Sequence, residues 1–242
     1  MNLIIDVGNT LVKMAVFKRD EIIHRHTSAD IDSAAISLIL KQFSEINACI
    51  IGSVRDLPEG LHEMFPASIT LTVMGSETKL PLRHQYKTFK TLGVDRMAGA
   101  VAASGLYPGK NILLIMAGTC ITYDFIDANG IYHGGGISPG IALRLAALHN
   151  FTDKLPLINA VKDPTLIGNT TESSIQSGVI NGVKAEVRGI ISEYESNYEN
   201  LTIILSGGNL DYFDKILKNN IFAVPNIVLT GLNIILTFND KN

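Results

Sequence analysis

A run of mostly apolar residues that ends in small polar residues opens the chain. Residues 2–7 are apolar apart from Asn2 and Asp6, and Gly8-Asn9-Thr10, called here the first turn, follows directly. This pattern predicts a buried strand that ends in a tight turn. Residues 11–17 then alternate between polar and apolar types, so we expect the chain to fold back as a hairpin. The Asp6 carboxylate is expected at the carboxyl end of the first strand.

The same pattern returns about 110 residues later. Residues 111–119 are an apolar run that ends in Gly118-Thr119, called here the second turn, and residues 121–126 alternate again. In this second copy Gly118 stands where the first copy has Gly8, and Met116 stands where it has Asp6.

An internal repeat of this length predicts a duplicated domain. We expect an N-terminal domain over residues 1–110 and a C-terminal domain over residues 111–242. Two turns of this kind that face one another could hold an elongated anion, such as a chain of phosphates, between them.

Strand-like and helix-like segments alternate through the rest of the first half, which predicts an α/β fold. We expect a helix after Asp30 or Asp32, a buried strand at 48–54, a helix at 58–64, a strand at 69–73, irregular chain at 79–91 and a helix from about residue 97. Asp95 is therefore expected at a helix N-terminus, where the helix dipole favours a carboxylate.

The second half predicts a hairpin, a glycine-rich loop and long helices. The elements expected are a hairpin turn at 128–130, a loop at 134–140 that opens a helix at 141–149, an amphipathic helix at 171–197, a buried strand at 201–205 and a final helix at 226–238. After the strand, Ser206-Gly207-Gly208-Asn209 forms a turn of the kind that binds phosphates or nucleosides.

Composition narrows the function classes. The chain has 242 residues, 46% of them hydrophobic, and a formal net charge of -3 without a Lys/Arg cluster, so we expect no nucleic-acid surface. Cys49 and Cys120 do not form a metal-ligating set. Pro225 and Gly231 interrupt the uncharged stretch near the C-terminal end, so we expect no membrane span. Asp6 interrupts the first apolar run, which argues against a signal peptide and favours a cytoplasmic protein.

Taken in order, these motifs resemble those of the type III pantothenate kinases, within the superfamily of acetate kinase, sugar kinases, hsp70 and actin. The resemblance is carried by Asp6-Val7-Gly8-Asn9-Thr10 with Lys13, Gly52-Ser53-Val54, Tyr86, Leu92-Gly93-Val94-Asp95-Arg96, Gly118-Thr119 with Thr122 and Asp124, residues 134–140, Thr152 with Leu155-Pro156, Gly168 with Thr171 and Gly178, and Ser206-Gly207-Gly208.

The resemblance implies two ribonuclease H-like (actin-like ATPase) domains, each with a mixed β-sheet flanked by helices. It also implies ATP-dependent phosphorylation of pantothenate to 4'-phosphopantothenate, the first step of coenzyme A biosynthesis. Members of the family look like homodimers that use Mg²⁺ and a monovalent cation, K⁺ or ammonium.

Roles for individual residues follow from the same resemblance. Asp95 would be the catalytic base, although a helix cap paired with Arg96 is its alternative role from residue types alone. Pantothenate would contact Tyr86, Gly93, Arg96 and Thr171, and Tyr86 could equally be a packing residue. Asp6 would hold Mg²⁺, and ATP would contact Asp6, Gly8, Asn9, Thr10, Lys13, Gly118, Thr119, Gly207 and Gly208.

Met116 departs from the family pattern, which has an aspartate at this position that ligates the monovalent cation. A thioether is a poor ligand for K⁺, which prefers oxygen donors. Two hypotheses follow: an active kinase with an altered cation requirement, or a catalytically weak homologue that acts as a binding or regulatory protein. Another small-molecule kinase of the same superfamily, such as a sugar or acetate kinase, is a further alternative.

Overall fold

The computed structural model describes residues 1–216 and 221–240, and the chain divides into two compact units. Unit 1 comprises Met1–Leu106 and Asn226–Asn242, and unit 2 comprises Tyr107–Pro225. The strands are β1 (Asn2–Val7), β2 (Val12–Lys18), β3 (Glu21–Ser28), β4 (Ala48–Ser53), β5 (Thr70–Val73), β6 (Arg83–His84), β7 (Asn111–Ala117), β8 (Cys120–Ile126), β9 (Ile131–Pro139), β10 (Leu201–Ser206) and β11 (Ile221–Ala223). The helices are α1 (Ser33–Gln42), α2 (Val94–Leu106), α3 (Ile141–Asn150), α4 (Thr171–Gln176), α5 (Gly182–Asn197) and α6 (Ile227–Asp240).

Unit 1 contains a mixed sheet with the strand order β3-β2-β1-β4-β5. β1 is antiparallel to β2, as the predicted hairpin requires, and parallel to β4. Leu3, Ile5 and Val7 of β1 point into a core that also contains Ile36 and Ile39 of α1. The period of two along β1 thus places one side of the strand against α1.

The second face of this sheet contacts α6, which packs against α2. The two helices approach closely at Gly231, where a Cβ would lie 1.8 Å from the carbonyl oxygen of Ala98. Gly52 of β4 is similarly enclosed, since a Cβ there would lie 3.0 Å from side-chain atoms of Val94 and Leu232. The small residues predicted in α2 therefore permit close helix packing.

Unit 2 contains strands in the order β11-β10-β7-β8-β9, with β7 parallel to β10 and antiparallel to β8. Its core joins alternate residues of β7, β8 and β10 to the long helical segment after residue 170. That segment is the predicted amphipathic helix, and it contains a π-helical turn, Ser177–Asn181, between α4 and α5. Val179, Val183 and Val187 form part of its buried face, as predicted.

Two predicted elements are wrong in detail. The helix at 58–64 is only a 3-10 turn, Leu61–Met64, because Gly60 has a left-handed φ of 71° that prevents an earlier start. The predicted loop at 134–140 is instead mostly strand, since β9 extends to Pro139. The pairing of β9 with β8 needs glycine at residue 135. A Cβ there would lie 1.7 Å from the carbonyl oxygen of Tyr123 and would clash with it.

The division into units differs from the predicted domain boundaries at the C-terminal end. The first boundary lies at Leu106, close to the predicted residue 110, but α6 belongs to unit 1 rather than to a domain over 111–242. Apolar residues such as Leu232 and Ile235 bury α6 within unit 1. No helix within residues 1–216 and 221–240 is long and apolar enough to cross a membrane.

Candidate active site

Asp6 lies at the end of β1, beside the first turn of unit 1. Its register partners are Lys13 on the antiparallel strand β2 and Gly52 on the parallel strand β4. The first turn is closed by the backbone N–H of Gly8, which donates to the carbonyl of Leu11 over 3.0 Å. As predicted, the carboxylate therefore stands at the carboxyl end of the first strand.

The Asp6 carboxyl has an unusual pKa for its residue type. Burial raises the pKa of Asp6 to about 6, the positive charge of Lys13 opposes this shift, and the negative charge of Asp95 adds to it. Asp6 and Asp95 are therefore near enough to interact electrostatically. A poorly solvated carboxylate that also feels a second negative charge favours a proton or a cation beside it.

Asp95 occupies the first turn of α2. Its Oδ1 accepts a hydrogen bond of 2.9 Å from the backbone N–H of Arg96. Burial raises the pKa of Asp95, and the hydrogen bond and charge of Arg96 oppose that shift only in part. The helix begins at Val94, so Asp95 is not the residue that caps it, in contrast to the alternative role considered from its residue type.

Gly93 leaves room for the Asp95 side chain. A Cβ at residue 93 would lie 2.6 Å from Asp95 Oδ1, well inside contact distance. The backbone N–H of Met97 donates to the carbonyl of Gly93 over 3.0 Å, which fixes residue 93 at the start of the helix. Any larger residue at 93 would thus displace the carboxylate.

Arg96 is a buried cation next to this carboxylate. Its side chain is only 4% exposed, and its guanidinium carbon lies 5.9 Å from the centroid of the Tyr86 ring. A guanidinium over an aromatic face is attracted to it by a cation–π interaction, which restrains the planar fork that can bind a carboxylate ligand. The structure therefore brings together Tyr86, Gly93, Asp95 and Arg96, which the sequence had grouped only by resemblance.

In unit 2 two chain segments meet at one end of the sheet, around the second turn. Gly207 has a left-handed φ of 104°, and a Cβ there would lie 2.2 Å from the carbonyl oxygen of Ala117. Asn209 donates its side-chain N–H to the carbonyl of Gly118 over 3.1 Å. Among residues 1–216 and 221–240, no atom lies within 4 Å of a Cβ placed on Gly208, so packing of these residues does not account for that glycine.

Met116 lies one residue before Ala117 at the end of β7, and it is 8% exposed. Its register partners are Thr122 on β8 and Ser206 on β10, so two hydroxyl-bearing residues flank the thioether. Thr122 Oγ1 is buried and has no hydrogen-bond partner within the described parts of the chain. A K⁺ ion needs several oxygen ligands, and the soft sulfur of Met116 does not fit that requirement.

Thr171 is the first residue of α4, directly after its N-cap Thr170. It borders a largely apolar groove of about 1230 Å³ in unit 2, between α3, the following loop and α4. The wall also contains Leu148, Phe151 and Ile175. The groove is large enough for a small organic molecule or an apolar protein segment.

No cluster of three or more histidine, cysteine or acidic residues suited to a metal occurs in residues 1–216 and 221–240. Mg²⁺ commonly binds through one or two protein carboxylates together with substrate phosphates and water. The half-buried Asp6 carboxylate, with the charge of Asp95 near it, fits that mode.

Solved structures place the fold in a known class. A Campylobacter jejuni protein assigned to the Baf family of transcriptional activators has a TM-score of 0.62 at 19% identity, and the match covers 99% of this chain and 100% of that protein. The activator of 2-hydroxyisocaproyl-CoA dehydratase from Clostridium difficile has a TM-score of 0.51 at 12% identity over 99% of this chain and 94% of its own. The fold is that of the duplicated actin-like ATPase domains, with two mixed sheets flanked by helices, as predicted.

The family model for type III pantothenate kinase matches residues 2–193. A type III pantothenate kinase of Christiangramia forsetii is 44% identical over 240 residues, which cover 99% of each chain. This chain therefore belongs to the type III pantothenate kinase family, and the resemblance described from the sequence is confirmed.

Sequence reasoning missed one group of residues beside the second turn. Arg144 of α3 and Glu186 of α5 form an ion pair of 2.5 Å, and Arg144 also donates to Ser138 and to the carbonyl of Pro139. No spacing rule connects residues so far apart along the chain. Only the charge of Arg144 in the first turns of a helix after a glycine-rich stretch hinted at a role.

Proposed function

We propose that this protein transfers the γ-phosphate of ATP to the primary hydroxyl of pantothenate and so begins coenzyme A biosynthesis. The carrying observation is the half-buried Asp95 carboxylate, which Gly93 accommodates and whose negative charge acts on Asp6. Sequence identity of 44% to a type III pantothenate kinase over 99% of the chain supports the same activity. The enzyme is then a phosphotransferase with an alcohol acceptor.

In this proposal Asp95 accepts the proton of the pantothenate hydroxyl. The hydroxyl oxygen forms a bond to the γ-phosphorus as the bond from that phosphorus to the bridging oxygen of ADP breaks. The raised pKa of Asp95 suits it to hold a proton after the transfer. The products are 4'-phosphopantothenate and ADP.

Arg96 would bind the carboxylate of pantothenate, with its guanidinium oriented by Tyr86. Gly93 and Thr171 are the other proposed substrate contacts. The proposed contacts of ATP are the first turn with Lys13, the second turn, and Gly207 with Gly208. Their backbone N–H groups and small side chains suit phosphate and nucleoside binding.

Asp6 is the proposed Mg²⁺ ligand, directly or through water. When bound, Mg²⁺ would neutralise phosphate charge during transfer. The same charge would keep Asp6 ionised despite its burial. In contrast, Met116 does not fit a K⁺ or ammonium ligand, so we infer an active kinase that does not depend on a monovalent cation at this position.

We also infer a homodimer. Phe151, Leu166 and Ile167 are 87%, 81% and 83% exposed, and all three belong to the segment between α3 and α4. Exposed apolar residues of this size in one segment are typical of a surface that another protein chain covers. Both cysteines are free thiols, and this suits the reducing cytoplasm in which we place the enzyme.

A coupled assay of ADP release tests the proposed activity. The purified protein is supplied with ATP, Mg²⁺ and pantothenate in parallel buffers that contain K⁺, Na⁺ or ammonium. We expect pantothenate-dependent turnover of similar rate in all three. If pantothenate stimulates no ADP release in any buffer, the protein is instead a binding or regulatory homologue, the hypothesis that Met116 motivates. Turnover with a sugar or acetate but not with pantothenate would indicate another kinase of the superfamily.

A further inference from the structure

A network of charged and polar side chains connects α3, α5 and the end of β9 in unit 2. Arg144 donates through Nε to the carbonyl of Pro139 over 2.8 Å, and through one terminal nitrogen to Ser138 Oγ over 2.8 Å. The same terminal nitrogen contacts Glu186 Oε2 at 2.5 Å. Nε and one terminal nitrogen of the guanidinium are therefore held by the protein itself.

Glu186 holds this arrangement from the α5 side. Its Oε1 accepts a hydrogen bond of 3.0 Å from the hydroxyl of Tyr123 on β8. Burial acts to raise the pKa of Glu186, but hydrogen bonds from Arg144, Ser138 and Tyr123 more than offset it, so the pKa is lowered overall. Glu186 is thus ionised at neutral pH and orients Arg144 by charge as well as by geometry.

The segment that Arg144 holds packs directly on the second turn. The backbone N–H of Gly140 donates to the carbonyl of Thr119 over 2.9 Å. A Cβ at residue 140 would lie 2.2 Å from the carbonyl oxygen of Gly118 and 2.5 Å from that of Thr119. Any shift of Ser138 or Pro139 would therefore move Gly140 against the turn.

We propose that the Glu186–Arg144 pair is a positioning device for nucleotide binding, which holds residues 138–140 so that the second turn keeps the orientation of its N–H groups. Neither residue needs to touch the nucleotide, because the restraint passes through Gly140 to the backbone of Gly118 and Thr119. This inference rests on the proposed role of the second turn in ATP binding.

Glu186 is the better residue to change, because Arg144 also borders the apolar groove that contains Thr171 and Glu186 does not. Glu186→Gln keeps the size and the acceptor for Tyr123 but removes the charge that holds Arg144. Tyr123→Phe removes the hydrogen bond from the Tyr123 hydroxyl to Glu186 and leaves the ion pair. Glu193→Gln changes an exposed acid of the same helix and is the matched control.

The experiment measures the Kd of ADP by calorimetry, and KM for ATP and for pantothenate by the ADP-release assay. We expect Glu186→Gln to weaken ADP binding and raise KM for ATP by about 3- to 10-fold, the usual scale for the loss of one charge-assisted contact. KM for pantothenate should stay within about twofold, because the network faces the nucleotide turn. Tyr123→Phe should give a smaller change in the same direction, and Glu193→Gln should match the parent.

Other results would overturn the proposal. Unchanged ADP binding in Glu186→Gln, with or without a lower Tm, would make the pair merely structural. Equal weakening of ADP and pantothenate would show a general disturbance. Gly118→Val separates this failure from that of the proposed function. The chain accommodates a Cβ at residue 118, which would lie 3.9 Å from the carbonyl oxygen of Cys120, but the new side chain would obstruct phosphates at the turn. If the parent binds ADP and Gly118→Val binds it equally well, the second turn is not part of the nucleotide site.

Discussion

The Asp95 carboxylate occupies the space that a side chain on residue 93 would need, because Asp95 Oδ1 lies 2.6 Å from the position of a Cβ on Gly93. The atom in the way is the end of a side chain and not backbone, so Gly93→Ala can fold if the carboxylate rotates away. We predict a fall in kcat of about tenfold or more with little change in Tm, since small misplacements of a base cost catalysis more than stability.

Gly105→Ala is the matched control for this change. Residue 105 lies in the same helix, α2, and its added Cβ would meet only Ile234 Cδ1 at 3.7 Å, an ordinary contact. This variant should keep the parent kcat. Equal activity of Gly93→Ala and the parent would show that the position of the Asp95 carboxylate is not critical.

Asp95→Asn tests the proposed base directly. The amide keeps the shape of the side chain but cannot accept the proton of the hydroxyl, so kcat should drop by about 100-fold or more. Pantothenate binding, measured by calorimetry, should change little because Arg96 remains. An unchanged kcat would remove Asp95 from the mechanism.

The raised pKa of Asp6 predicts a pH-dependent stability. The folded-state pKa of about 6 exceeds the ordinary value of 3.8, so the folded protein binds the proton more tightly than the unfolded chain. Asp6 therefore costs no stability below pH 4 and destabilises the fold increasingly as pH rises through 6, by on the order of 2 kcal/mol. The Tm of Asp6→Asn minus the Tm of the parent should therefore be larger at pH 8 than at pH 4.5. A difference in Tm that does not vary with pH would contradict the raised pKa.

Met116→Asp should introduce a cation requirement. A carboxylate between the hydroxyl-bearing residues Thr122 and Ser206 would supply the oxygen ligand that the thioether lacks. We expect the rate of this variant to rise with K⁺ or ammonium and not with Na⁺, whereas Met116→Leu, the apolar control, should respond to cations as the parent does. Identical responses of all three proteins would show that residue 116 does not line a cation site.

The homodimer can be tested on its exposed apolar residues. Leu166→Glu should lower the mass measured by light scattering from that of a dimer to that of a monomer, because a buried charge at an interface is costly. Leu38→Glu is the control, since Leu38 is 66% exposed on α1 of unit 1. A monomeric parent, or equal dimer content in both variants, would refute this interface.

Strong local patterns were sufficient to predict much of the fold. The first hairpin, the buried strand β4 and the long helix through Val183 follow from apolar periodicity that no tertiary contact opposes. The glycines of β9 were misleading, because glycine usually marks a loop. In β9 the carbonyl oxygen of Tyr123 lies so close to residue 135 that only glycine fits at this position of the strand.

The candidate site was predictable as a set of residues but not as an arrangement. Tyr86 and Arg96 could be grouped by resemblance, yet their cation–π contact depends on the conformation of an irregular segment. The fit of Asp95 beside Gly93 depends on a side-chain rotamer, and the pairing of Arg144 with Glu186 depends on how α3 packs near α5. Such relationships arise from tertiary packing, which leaves no periodic signal in the sequence.

The membership of α6 in unit 1 has a consequence for biosynthesis. Unit 2 is continuous from Tyr107 to Pro225, whereas unit 1 lacks the helix that covers α2 until residues 227–240 have left the ribosome. During translation unit 2 can therefore fold first. The surface of α2 around Ala98 stays uncovered until α6 packs on it at Gly231. The carboxylate at the start of α2 thus acquires its final support only after α6 has been synthesised, so a chain that stops before residue 227 would lack a completed acid site.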